Sequence, residues 1–245
     1  MEHTQSNEIE RPRSVAQIIG EALDIYQRYP LLFFTLALGV IAPYDLAVLA
    51  ATGQGPLVSG SHQSAEVSFL LLLLDTVVVG PLVSALHIHA VLLIGQRDTP
   101  RLRQVVLSAL RVFPVVVAAV IVSAGGIALG FLALVLPGIV LALRWAVVAQ
   151  VAAVEHEGWI PSLRRSHELT SGHYWHIFVL LVIVGLVSGA ITFGAAAIPL
   201  GSTSGAASVA AGIAAKTITV SFSALTLAIL YFDLRARLAT PAASL

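Results

Sequence analysis

Long apolar runs, separated by short polar stretches, set the pattern of this chain. Crossing about 30 Å of hydrocarbon takes roughly 20 mostly apolar helical residues. Six runs approach or exceed that length: Leu31–Ala50, Val67–Gly95, Pro114–Leu136, Ile139–Val154, Tyr174–Pro199 and Ala206–Phe232. Only Pro137-Gly138 separates the third from the fourth, which predicts a tight hairpin there. Gly80-Pro81 lies inside the second run and predicts a kink, because proline removes a helix donor.

Between these runs the period changes to that of an amphipathic helix. In Ser14–Tyr29, Val15, Ile18, Ile19, Ala22 and Tyr26 share a face, and Ser14 with Gln17 has capping-box spacing. In Pro100–Phe113, the shared face is Leu102, Val106, Ala109, Leu110 and Phe113; Thr99 can cap it, and Pro100 suits its first position. The third stretch is Pro161–His173, introduced by Trp159-Ile160. Such helices lie in the membrane interface with their arginines toward anionic headgroups, or fold back on the bundle as ordinary loops. The expected fold is therefore all-α: six transmembrane helices in three hairpins, each hairpin preceded by a cytoplasmic interfacial amphipathic helix. Residues 1–13 read as a polar tail, 14–237 as one six-helix domain and 238–245 as a second tail.

Composition strengthens the membrane reading. Of 245 residues, 58% are hydrophobic and 11% charged, against about 25% charged in soluble domains. Mean hydropathy is +0.92. There is no cysteine, which excludes disulfides and thiolate chemistry, and net charge is zero, so no global field attracts nucleic acid and no nucleic-acid partner is expected. The first 30 residues carry Glu2, Glu8, Glu10, Glu21 and Asp24 and do not read as a cleaved signal peptide. The placement of charge adds a direction. Arg11, Arg13, Arg28, Arg97, Arg101, Arg103, Arg111, Arg164, Arg165, Arg235 and Arg237 all fall on one side of the six-span arrangement, and the opposite loops (51–65, 137–138, 200–205) hold no basic residue. The positive-inside rule then expects both termini in the cytoplasm of a multi-pass protein of the cell membrane.

Ionisable residues inside spans are costly and are the first candidates for chemistry. Asp45, Asp75, Arg144 and Lys216 sum to zero charge, and counting along each span puts all four in the outer half. They form a mutually paired cluster or line a path for a solute or ion, and Asp75 with Lys216 is the preferred pair. Arg101, Arg103, Arg111, Arg164 and Arg165 are the candidate contacts to anionic lipid headgroups. His173 and His176 share a helical face and are weak metal candidates, since zinc needs further ligands. His87 and His89 face different ways and make a poor joint site. No His-Glu-x-x-His, Gly-x-Ser-x-Gly or phosphate-binding glycine loop occurs, so no enzyme activity and no cofactor are expected. Small residues spaced for close helix contact occur as Gly126-x-x-x-Gly130, Gly185-x-x-x-Gly189 and the stripe Ser208, Ala211, Gly212, Ala215.

One region carries a resemblance. Pro137-Gly138 through Arg144-Trp145, then Val154-Glu155…Gly158, then Ser162-Leu-Arg-Arg-Ser166…Gly172-His-Tyr-Trp175 resembles the signature of a bacterial family named after the membrane domain of glycerophosphodiester phosphodiesterases. Ser14-Val15…Glu21-Ala22-Leu23…Tyr26 and Leu230-Tyr231-Phe232-Asp233-Leu234-Arg235 also resemble it. The resemblance implies a six-span helical domain with no assigned activity. The namesake's soluble catalytic barrel has no room here, as no polar segment exceeds about 30 residues. Two functions are expected from these readings. One is a non-catalytic scaffold or accessory protein that binds lipid or a membrane protein partner. The other is a transporter of a small solute or lipid that uses the intramembrane charges.

Overall fold

The computed structural model describes residues 11–53, 55, 64–96, 101–197 and 205–239. Every regular element among them is helical, and six stretches are long and apolar enough to cross a membrane. The protein is an all-α polytopic membrane protein.

Helix α1 (Val15–Arg28) begins where the spacing predicts. The Ser14 hydroxyl accepts the Gln17 N–H at 3.3 Å, and Gln17 Oε1 accepts the Ser14 N–H at 2.8 Å. Both orphan donors are satisfied, which closes the capping box. Its apolar face is spent on protein: Ile18 and Ala22 are fully buried, and the helix packs on later elements of the bundle. Helix α2 (Pro30–Thr52) follows with Pro30 at its first position and ends on Gly53 in the left-handed conformation.

The second run is a single path in three parts: α3 (Ala65–Leu74), a π turn (Asp75–Val79) and α4 (Gly80–Gly95). The expected kink at Gly80-Pro81 takes this form because Pro81 has no N–H to continue the α ladder. The Gly80 N–H bonds instead to the Asp75 carbonyl, five residues back.

Two expectations need correction around the third run. The stretch Pro100–Phe113 is not a separate interfacial helix. From Leu102 it is continuous with the span as α5 (Leu102–Ala133), straight through Pro114. The hairpin also does not turn at Pro137-Gly138. It turns at Leu134, whose extended backbone (φ −164°, ψ 153°) separates α5 from α6 (Val135–Arg144), and Pro137-Gly138 lies in the first turns of α6. A proline near a helix start forfeits no bond, so it is tolerated there. The fourth span is itself broken by a turn at Trp145–Val147 before α7 (Val148–Val154).

Helix α8 (Trp159–Thr170) leads through Gly172, at φ +79°, into α9 (Tyr174–Ala197). Helix α10 (Ala206–Ala239) is the axis of the bundle: α1, α2, α4, α7, α8 and α9 all pack against it. Its many Ala, Ser and Thr residues permit close approach. Thr217, Thr219 and Thr226 return their hydroxyls to carbonyls four residues back, so these three hydroxyls are not left bare among apolar neighbours. It runs on past Phe232 and includes Leu238 and Ala239 of the expected tail. Residues 54, 56–63, 97–100, 198–204 and both chain ends, including Arg97, the expected cap Thr99-Pro100 and the end of the expected fifth span, lie outside the described residues.

Candidate functional site

Near its first third, α10 presents Lys216 toward α2 and the π turn. The ammonium lies 2.9 Å from Asp45 Oδ1 and 2.7 Å from Asp75 Oδ1. Asp45 is 5% exposed, whereas Asp75 is more open. Tyr44 closes the group. Its ring lies 4.7 Å from the ammonium, and its hydroxyl donates to the Leu71 carbonyl at 2.9 Å. Two carboxylates therefore share one ammonium, which also lies over one aromatic face, and Asp45 Oδ2 has no hydrogen-bond partner. The π turn begins at Asp75, so the helical irregularity and the acid coincide.

Arg144 does not join this cluster. Its Nε donates to His167 Nδ1 at 3.1 Å, on α8. The cause is the break after α6. It frees the Arg144 carbonyl, which accepts the hydroxyls of Ser166 at 3.0 Å and Thr170 at 3.2 Å, and this fastens the residue to α8. Counting depth from a continuous fourth span misplaces it.

The arginine-rich ends of the helices meet about 25 Å along α10 from Lys216, taking 1.5 Å per residue to Asp233. We call this the basic end. Asp233 is fully buried there. It accepts the backbone N–H of Arg13 and the Arg237 guanidinium, while the Arg13 side chain pairs with Glu21. Tyr231 donates to Glu155 at 3.0 Å, and Arg165 lies 3.2 Å from the same carboxylate. Burial disfavours the charged form of Arg165, but Glu155 and Glu168 outweigh it and raise its pKa above the ordinary arginine value. Asp233 and Glu155 were not singled out from the residue pattern. Their signal lay in the stretches that carry the family resemblance, and those stretches meet in these two groups.

The five arginines proposed for lipid divide in two. Arg164 and Arg165 pair with Glu168 and Glu155. Arg101, Arg103 and Arg111 have no ion-pair partner among the described residues, and exposed Leu102, Val106 and Leu110 lie on the same helix start. His173 and His176 are not brought to a common ligand. His176 Nε2 lies 3.6 Å from Asp233, and His173 Nδ1 donates to the Ser171 carbonyl. No group of three metal-ligating residues occurs among the described residues.

His87 and His89 separate as their spacing implies. His87 is fully buried: Nδ1 donates to the Val83 carbonyl and Nε2 accepts the Ser221 hydroxyl at 2.6 Å. His89 instead lines a cavity of about 550 Å³ at the basic end, with Arg111 and His156. A second cavity, of about 250 Å³, lies among α4, α5, α7 and α10 and includes Ser84 and Gln150. Neither is lined by Asp45, Asp75 or Lys216. Comparison with protein-family models, with curated proteins and with solved structures finds no match.

Proposed function

We propose that this chain is a non-catalytic scaffold or accessory protein of the cell membrane, with both termini cytoplasmic, that binds anionic lipid headgroups and a membrane protein partner. The observation that carries the reading is the start of α5, where Arg101, Arg103 and Arg111 are unpaired among the described residues beside exposed leucines. Such a surface suits an anionic membrane face, where each basic residue contributes about 1 kcal/mol. Membership of the phosphodiesterase membrane-domain family is part of the same proposal. It is supported by two groups at the basic end, Glu21 with Asp233 through Arg13 and Glu155 with Arg165 and Tyr231, whose members other than Arg13 come from the resembling stretches.

The test replaces Arg101, Arg103 and Arg111 together by Gln and places a fluorescent label on residues near them in nanodiscs of phosphatidylcholine with or without phosphatidylglycerol. The parent protein is expected to show headgroup depth and a preference for phosphatidylglycerol that the triple variant loses. A label fully exposed to bulk water in both membranes would sink the reading.

A transporter is the second reading, and one observation favours it: two carboxylates meet a single ammonium and leave Asp45 Oδ2 without a partner. It requires an ion or solute flux into proteoliposomes that Asp45→Asn abolishes. Flux that Asp45→Asn leaves intact excludes this cluster as the path.

A further inference from the structure

We propose that the cavity between α4, α5 and the turn after α7 binds a phosphate-ester anion. The inference deepens the lipid-binding reading and rests on it. The cavity holds about 550 Å³, within the usual range for small-molecule sites. Its polar wall is His89, Ser108, Arg111 and His156, and no carboxylate is among the described residues that line it. The rest is aliphatic, Leu92 and Val115 included.

One guanidinium and two imidazoles, from three separate segments, thus face one space. Four acids at this end are engaged elsewhere: Glu21 with Arg13, Glu155 with Arg165, Glu168 with Arg164 and Arg165, Asp233 with Arg237. Arg111 has no such partner among the described residues. A guanidinium fork matches two oxygens of a phosphate, and basic pockets between membrane helices suit phosphorylated headgroups.

His156 supplies an independent observation. Its φ is +55°, the left-handed region, at the position after the α7 cap where glycine is favoured. It is the one described residue other than glycine with positive φ. A histidine there bears backbone strain that glycine avoids. This conformation divides the turn: His156 lines the cavity with Arg111, while Glu155 and Glu157 on either side line a different one with Arg164 and Arg165. The strained backbone therefore keeps two acids out of the basic cavity. His89 is held in place by its Nδ1–H, which donates to the Ala85 carbonyl at 2.7 Å.

The aliphatic wall fits the start of a phospholipid's acyl chain, and a soluble phosphate ester would use the polar wall alone. The full chain in neutral detergent is titrated with short-chain phosphatidylglycerol and, separately, with glycerol 3-phosphate, and bound ligand is read by native mass spectrometry. Arg111→Gln and His156→Gly are each expected to weaken binding about tenfold, the loss of one hydrogen-bonded contact to the anion. His156→Gly relieves the backbone, so its Tm is expected at or above the parent's, which separates lost binding from lost folding. Either variant binding like the parent overturns the cavity. If Arg101→Gln with Arg103→Gln weakens binding in that case, surface lipid binding stands and only the cavity falls. If the parent binds neither ligand, both readings fall. Binding of phosphatidylglycerol alone assigns the site to lipid, and equal binding of glycerol 3-phosphate assigns it to a soluble ester.

Discussion

Lys216 lies within 3 Å of two carboxylates, so its removal leaves both without a counter-charge in an apolar surround. Breaking a buried pair by removing one partner costs about 3–5 kcal/mol. We expect Lys216→Met to lower Tm in detergent sharply. Adding Asp45→Asn and Asp75→Asn to Lys216→Met is expected to recover most of the loss, because no charge then needs a partner. A triple variant as unstable as the sum of its parts would show that the three residues are energetically independent. Depth counting along the spans puts Asp45, Asp75 and Lys216 at one level, and in the fold they touch. The same counting fails for Arg144, because hydropathy does not register the turn at Trp145–Val147. Asp233 escaped notice for a related reason. At the end of an apolar run it reads as a solvated terminal charge, and only α10 passing beneath α1 buries it.

At the scale of the helices, two identical spacings behave differently. A Cβ on Gly126 would stand 2.6 Å from the Trp145 ring, so α5 meets the α6–α7 turn there without room for a side chain. A Cβ on Gly185 meets nothing within 4 Å. Gly126→Ala is expected to destabilise by ~1–3 kcal/mol, the usual penalty of overpacking. Gly185→Ala is expected to hold or raise stability, since alanine is the better helix former. Thermal unfolding of both variants in one detergent decides it, and equal Tm values would refute the close contact. The pattern Gly-x-x-x-Gly shows only that a close approach is possible on that face. Whether another helix arrives depends on the path of the next one. The start of α5 teaches the same lesson. Its amphipathic period was legible, but not that the helix would continue unbroken through Pro114, an interior proline that forfeits the bond to the Leu110 carbonyl.

For the whole molecule, the arginine asymmetry makes a claim about sidedness. Reporters fused at residues 58 and 203 are expected to read as external and a reporter at the C-terminus as cytoplasmic, since all eleven arginines outside the spans fall on one side of an even number of crossings. An external C-terminus would refute the arrangement. The sequence by itself determined that the chain is helical and membrane-spanning and how many crossings it makes. Transfer of a run of about 20 apolar residues into hydrocarbon is a local sum along the chain, and it needs no knowledge of neighbours. Only the tertiary structure decided which polar groups meet. A break of one turn, as at the π segment or after Arg144, re-aims every later side chain by about 100° per residue. Lys216 therefore finds two acids, Arg144 finds His167, and His156 faces Arg111 across a cavity by virtue of one left-handed residue.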